Sequence, residues 1–487
     1  MKHSTHAQRS VADSHRALLV VALITIHGAA TIRLLGQNTL QVATQPANMI
    51  RASSAILNGM VLPGPNSTLA WFEWGTSGRY GSRTGATNLA GGSGVVSCRQ
   101  PLNGLSPDYV YHFRLVASNL TGVVYGADQQ FTLGAAVMVW GNTSFGQAQI
   151  PADLTNAVAI GGGGYHCLAL RNDGTIAAWG GDAYGQTDVP ADLTNVAAIS
   201  AGQVHNLALK ADGTVRAWGA GTSLGPDWPA GGQSEVPAGL SNVVQIAAGT
   251  THSLALKADG TVVAWGSARI NNFYWTDLGQ AVVPVGLSNV VAISGGDFHN
   301  LALKADGTVA VWGDSTYSQG AIPPGLAGVV GIAAGWYHNL ALKADHTLSV
   351  WGYDGYSEVS GLPASLSNVV GMAGGGFYSL ASQADGTVVC WGDNSAAQLN
   401  IPTSSLNSAV AVAAGYDFSL ALQSGAPLAV ALTIQPFGDQ IQLVWSGGIL
   451  QSASELMGTF TDMDGVTSPL RFTPSQAQAF YRVRVQR

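Results

Sequence analysis

The stretch His299-Asn-Leu-Ala-Leu-Lys-Ala-Asp-Gly-Thr-Val-Ala-Val-Trp-Gly313 decides the fold. Two apolar runs with period two flank Ala305-Asp-Gly307. That is the pattern of a β-hairpin whose glycine takes the left-handed conformation the turn needs. Alternation places His299, Leu301 and Leu303 on one face of the first strand. Thr308, Ala310 and Trp312 share a face of the second, and Gly313 ends it.

The hairpin recurs. Trp-Gly pairs stand at Trp140, Trp179, Trp218, Trp265, Trp312, Trp351 and Trp391, with successive gaps of 39, 39, 47, 47, 39 and 40 residues. Partner-strand leucines recur at Leu168, Leu207, Leu254, Leu301, Leu340, Leu380 and, last, Leu420. A period near forty made of strands and glycine turns means a propeller or a solenoid. A further apolar strand (Val290-Val-Ala-Ile-Ser) and the lack of a helical pattern favour a propeller blade. The ends of the array agree. Val137–Trp140 has no preceding Leu-Ala-Leu strand, and Phe418–Leu422 has no following Trp-Gly strand. Pairing the two closes a ring and removes an open sheet edge.

The repeat Val290-Val-Ala-Ile-Ser-Gly-Gly-Asp-Phe-His299 and its hairpin resemble the repeat of the regulator of chromosome condensation family, over roughly residues 136–424. The resemblance implies a seven-bladed β-propeller. It also implies nucleotide exchange on a small GTPase, as the family's best-known member performs, although that member's catalytic loop has no recognisable counterpart here.

The chain has 487 residues, 47% hydrophobic and only 10% charged, with 63 glycines. This composition suits a turn-rich all-β protein of several domains. The net charge of -7 and the absence of a basic stripe argue against a nucleic-acid partner. Cys98, Cys167 and Cys390 lie too far apart in sequence for a disulfide framework or a Cys-x-x-Cys metal site.

Four segments are expected. Residues 1–30 read as a signal peptide: Lys2, Arg9 and Arg16, then the apolar Ala17–Ile26, then Gly28-Ala-Ala30. Ten apolar residues are too few to span a bilayer, which needs about 20. An uncleaved anchor running through Leu35 is the alternative. Residues 43–133 form a β unit. Its stretch Leu105-Ser-Pro-Asp-Tyr-Val-Tyr-His-Phe-Arg-Leu-Val-Ala resembles the end of a fibronectin type III domain, which implies Tyr111 as a tyrosine-corner residue. Residues 136–424 are the propeller. Residues 428–487 form a small C-terminal β module, similar to a tail unit of exported bacterial multidomain proteins. The expected fold class is therefore all-β: a seven-bladed β-propeller preceded by a fibronectin type III-like β-sandwich and followed by a small β module.

Two blades are longer by about eight residues. One insert holds Trp228, the next Phe273, Tyr274 and Trp275. Neighbouring aromatic loops would make a contact surface, or a small satellite core folded over the blades. These four are the candidate binding residues. His166, His205, His252, His299 and His338 occupy equivalent places, which admits a metal ring. Alternation with leucine, and Tyr378 and Phe418 at the same position, favour packing. Gly221-Thr-Ser-Leu-Gly225 has the nucleophile-elbow spelling without its strand–turn–helix context. Asp462-Met-Asp-Gly465 lacks the later ligands of a calcium loop. Lys210, Lys257, Lys304 and Lys343 each precede a turn aspartate by two and read as locally neutralised.

These observations point to an exported, non-enzymatic binding or scaffold protein with a protein or surface-glycan partner. No cofactor, metal, nucleic acid or stable membrane span is expected, and the default state is a monomer. The alternatives are an exchange factor and a polysaccharide hydrolase using Asp227, Glu235 and Asp277, whose carboxylates would have to be paired.

Overall fold

The computed structural model describes residues 39–221, 231–266, 278–402, 406, 408–424, 432–437, 440–445, 449–453, 461–463, 470–472 and 480–484. All regular structure among them is β.

Between residues 136 and 423 lie seven three-stranded antiparallel sheets. In one, Val290–Gly295 pairs with His299–Lys304, which pairs with Val309–Gly313; these are its inner, middle and outer strands. Each inner strand touches the next around the ring, and the last, Ala409–Ala414, touches the first, Ala157–Gly162. The closing sheet is composite. Ala136–Gly141 pairs with Phe418–Gln423 in continuous register from Ala136↔Gln423 to Gly141↔Phe418. The two complementary ends of the array therefore close the propeller on itself.

Turn chemistry explains the hairpins. Gly307 has φ 77°, and the Asp306 side chain accepts the Thr308 N–H at 3.0 Å. In one copy His346 holds the same conformation, at φ 62°. Lys304 reaches Asp306 at 3.3 Å, and the equivalent pairs at Lys210, Lys257 and Lys343 span 3.5–3.8 Å.

Neighbouring sheets are joined by a repeated polar relay. Trp312 lies opposite Asn300 in the ladder, so both project to the preceding sheet. There Trp312 Nε1 and Asn300 Nδ2 donate to the same acceptor, the Gln280 carbonyl, at 3.1 and 2.8 Å. His299 projects the other way and meets Asn339 Oδ1 of the following sheet at 2.7 Å. Asn339 Nδ2 is committed to the Gln319 carbonyl at 3.0 Å, so its oxygen faces the imidazole and Nε2 carries the proton. The same link joins His166 to Asn206, His205 to Ser253, His252 to Asn300 and His338 to Ser379, at 2.7–3.0 Å. At the sixth junction the Tyr378 hydroxyl stands against Ser419 Oγ at 3.3 Å. At the seventh, where the ring closes, Phe418 packs with Cys167 in one apolar cluster, and both are fully buried. Donor and acceptor disappear together there, so neither is left unpaired.

Ahead of the propeller, two sheets enclose their own core. One holds Gln41–Arg51, Ser54–Leu62 and Val96–Asn103. The other is built around Thr68–Gly75 and Val110–Asn119. Leu57, Phe72, Phe113 and Leu115 are buried between them. The Tyr111 hydroxyl accepts the Ser106 N–H at 2.8 Å and donates to the Ser106 carbonyl at 3.2 Å, the corner bond expected of it. This sandwich rests on the propeller face that carries the Asp-Gly turns. Gln45 Nε2 donates to the Val291 carbonyl at 2.9 Å, and Met60, Leu62 and Val95 share an apolar cluster with Val290 and Val291. Pro46 sits at that end of the central channel. In the C-terminal segment, two further three-stranded sheets are described.

Burial holds the repeat histidines neutral. The pKa of His166, His252 and His299 is pushed down to about 4, and that of His205 and His338 to about 3, chiefly by desolvation. The unfolded chain, with histidine near 6.5, binds more protons between these limits. Stability is therefore full above pH 6.5 and drains as the pH falls toward 4, at about 1.4 kcal/mol per unit for each histidine. Asp297, raised to about 6 by burial, opposes this as a single group. The melting temperature should fall steeply from pH 6.5 to 4.5; a flat profile there contradicts the neutral relay. The relay also predicts coupling. Asn300→Cys should cost roughly 1–3 kcal/mol in urea unfolding, because it strands the His252 N–H. Adding His252→Phe, which copies the Phe418–Cys167 junction, should restore at least about half of that loss in a double-mutant cycle.

Candidate interaction face

Trp228, Phe273, Tyr274 and Trp275 lie outside the described residues, as do residues 222–225 of the nucleophile-elbow spelling, Asp227, Asp277 and Asp464. Glu235 is described; it is exposed, and its N–H bonds the Gly232 carbonyl at 3.1 Å. The five repeat histidines each pair with the following sheet, as described above. Their Nε2 atoms are taken up in holding sheets together, and each Nδ1 is buried without a hydrogen-bond partner.

A second set of aromatic residues, which the sequence reading passed over, gathers on the face opposite the sandwich. Two loop types emerge there from every sheet. The first joins inner to middle strand and brings Tyr165, Tyr337 and Phe377 directly before the repeat histidine or its tyrosine substitute, with Trp336 and Tyr416 one residue earlier in their own loops. The second follows the Trp-Gly strand and ends on a buried glutamine. Gln319 Oε1 accepts the Tyr317 N–H at 2.7 Å, and Gln147 accepts that of Phe145 at 2.9 Å. Glu358 does the same for Tyr356 at 2.8 Å. Because that glutamine's own carbonyl is the acceptor of the interblade relay, the aromatic loop is anchored to a buried bond of the ring. The repeat thus fixes where each aromatic stands.

The two sets merge into one arc. Phe145 meets Tyr165 at 4.7 Å between ring centroids, and Tyr165 meets Tyr416 at 5.9 Å. Tyr416 stacks on Trp336 at 4.2 Å and 25°, and Trp336 leads to Phe377 at 6.1 Å. Phe377 continues to Tyr356 at 5.1 Å, and Tyr353 joins Phe377 to Tyr317. Phe145, Tyr317 and Tyr356 are each about half exposed, at 52%, 45% and 50%. A contiguous aromatic patch of this kind on a soluble surface marks an interaction site more often than single exposed rings do.

Carboxylates stand among the rings. Asp417 follows Tyr416 and accepts from Asn142 Nδ2 at 2.7 Å. Burial raises its pKa, and the charge it carries raises those of Tyr165 and Tyr416 after desolvation has done so. Asp297, only 3% exposed, lies on the loop beside Trp336, whose carbonyl accepts its N–H at 3.3 Å. Its pKa is raised to about 6 by burial, against hydrogen bonds from Thr250 and Tyr337. The arc borders a central channel of about 520 Å³ that runs from Pro46 to Trp336 and Tyr416, with glycine, alanine and serine prominent along its wall. The face offers ring faces, phenol hydroxyls and carboxylates on fixed loops. Its signal in sequence was the aromatic before the repeat histidine and the aromatic two residues before the glutamine. Both become visible only when the seven copies are stacked.

Comparison with known proteins agrees with this architecture. The regulator of chromosome condensation (RCC1) repeat matches residues 157–186, 196–223, 243–273, 290–319 and 329–358. No curated protein sequence matches the chain. Among solved structures, Prp20p of Saccharomyces cerevisiae, described together with its binding properties to Gsp1p and histones, is 19% identical, with 60% of this chain and 92% of that chain covered and a TM-score of 0.50. The ectodomain of the Physcomitrella patens receptor kinase CR4 is 21% identical over 62% of this chain and 79% of its own, with a TM-score of 0.44. Human WBSCR16 is 17% identical over 74% and 99%, with a TM-score of 0.43. The chain carries RCC1 repeats, and its propeller has the fold of Prp20p.

Proposed function

We propose that this chain is an exported, non-enzymatic binding or scaffold protein that uses the open face of its propeller for protein–protein or cell-surface interaction. The observation that carries the reading is the placement of the aromatic arc. One propeller face is occupied by the sandwich, and the other presents a continuous run of partly exposed rings, three of them about half exposed, on loops tied to the ring. Binding surfaces concentrate on loops held by a rigid scaffold. The sandwich, read as fibronectin type III-like from the Tyr111 corner, and the C-terminal module serve as spacers. The export reading rests on the composition of residues 1–30, which lie outside the described residues.

A second reading, nucleotide exchange on a small GTPase, is favoured by the RCC1 repeats alone. Fold likeness at this identity fixes no activity. A polysaccharide hydrolase built on Asp227, Glu235 and Asp277 has only exposed Glu235 among the described residues.

A binding screen of residues 31–487 on glycan and envelope-protein arrays tests the proposal. Trp336→Ala with Phe377→Ala should weaken any hit at least about tenfold while the melting temperature stays within a few degrees. The Trp228, Phe273, Tyr274 and Trp275 fourfold alanine variant is the parallel arm. Loss of the hit only in that arm moves the site to the two long blades. A hit unchanged by both sets removes the propeller face from the account, and catalysed nucleotide release from a small GTPase would favour the second reading.

A further inference from the structure

Charge is sorted between the two faces of the propeller. The lysines of the repeat, Lys210, Lys257, Lys304 and Lys343, all sit at the turns between middle and outer strands, on the face that the sandwich occupies, each beside its own aspartate. Among the described residues the opposite face carries none; Arg269, in the loop after Gly266, lies outside them. The face's described loops are residues 142–150, 181–189, 231–236, 278–283, 314–322, 353–361 and 393–401, with the inner-to-middle connections. They contain no lysine or arginine. Acidic residues recur there instead: Asp182 and Asp354 are exposed, and Asp393 and Asp417 are half-buried. The acids are interleaved with the rings. Asp354 lies in sequence between Tyr353 and Tyr356, and the charges of Asp417 and Asp393 both act on Tyr416.

Aromatic rings present a negative π face, which attracts a cation placed over it, and desolvation on binding strengthens that attraction. Carboxylates around the rings add attraction of the same sign, and no fixed positive charge among the described residues cancels it. A neutral glycan would use the rings but not the carboxylates; an acidic partner would be repelled by them. An apolar helix would leave the buried-edge carboxylates desolvated and unpaired, at a cost.

From this we propose that the open propeller face takes a cationic peptide segment, with lysine or arginine side chains laid over the Trp336–Tyr416–Phe377 part of the arc and their charges met by Asp417, Asp393 and Asp354. The inference rests on the binding reading above and narrows it to one class of partner.

The test is a fluorescence titration of the full chain with deca-arginine, with deca-glutamate and a neutral glycine-serine decapeptide as controls. Deca-arginine should bind, the controls should not, and raising the salt from 50 to 500 mM should weaken binding by screening. Trp336→Ala should weaken it about tenfold, while Trp336→Phe, which keeps a ring face, should lose no more than about threefold. Asp354→Asn, which keeps the oxygen that accepts the Val359 and Ser360 N–H groups, should weaken it without changing the melting temperature. Absence of deca-arginine binding overturns the inference, and so does binding indifferent to both Trp336→Ala and Asp354→Asn. An array hit on a neutral glycan that is lost in Trp336→Ala, with no deca-arginine binding, leaves the binding reading standing and removes only the cationic partner.

Discussion

The structure depends on one buried backbone acceptor at each junction of the ring, which takes an indole N–H at all seven and a second side-chain donor at five. The Gln280 backbone carbonyl, for one, receives the indole N–H and the asparagine amide of the next sheet. The amide oxygen of that asparagine receives the imidazole of the sheet behind it. Six of seven junctions carry a polar link of this kind, through histidine or tyrosine, and the seventh replaces both ends with Phe418 and Cys167. A buried N–H donor inside a close-packed ring costs free energy unless an acceptor faces it. That constraint explains why the residue after the repeat histidine changes in step with the histidine one sheet earlier. It explains equally why burial can push these imidazoles well below their ordinary pKa without harm at neutral pH.

The same carbonyl organises the open face. The glutamine that supplies it, or Glu358 in one copy, folds its side chain back onto the loop ahead of it, so the bond that joins two sheets also sets the position of Phe145, Tyr317 or Tyr356. A rigid ring therefore presents its aromatics with little freedom to lose on binding. That is the condition under which exposed rings make effective contacts. The sandwich completes the arrangement by occupying the other face and placing Pro46 at that end of the channel.

Much of this was legible in sequence, and the reasons are specific. Seven Trp-Gly pairs, glycine turns with positive φ and unmatched ends at Val137 and Phe418 were sufficient for a closed ring, because period-two alternation and turn chemistry are local. Tyr111 was legible for the same reason: its corner bond is made five residues away. The long first strand, Gln41–Arg51, was not, because Gln45 and Pro46 interrupt its alternation, and it is held partly by the propeller through Gln45. The relay was also hidden. Asn206, Ser253 and Cys167 look like casual variation until each is set beside a histidine or phenylalanine about 40 residues away or at the far end of the array. The inserts stand out in sequence because they break the repeat. The aromatic arc is made by positions where the repeat is kept, and no single copy reveals that Tyr165, Trp336 and Tyr416 converge.

Hydroxyl-radical footprinting of the full chain, free and bound to the ligand found by array screening, tests the central claim most directly. The account predicts that Phe145, Trp336, Phe377 and Tyr416 react readily in the free protein and become protected on binding, while Met60 and Leu62, on the sandwich strand buried against the propeller, stay unreactive in both states. Protection confined to the sandwich or the C-terminal module, with the arc as reactive bound as free, would contradict it.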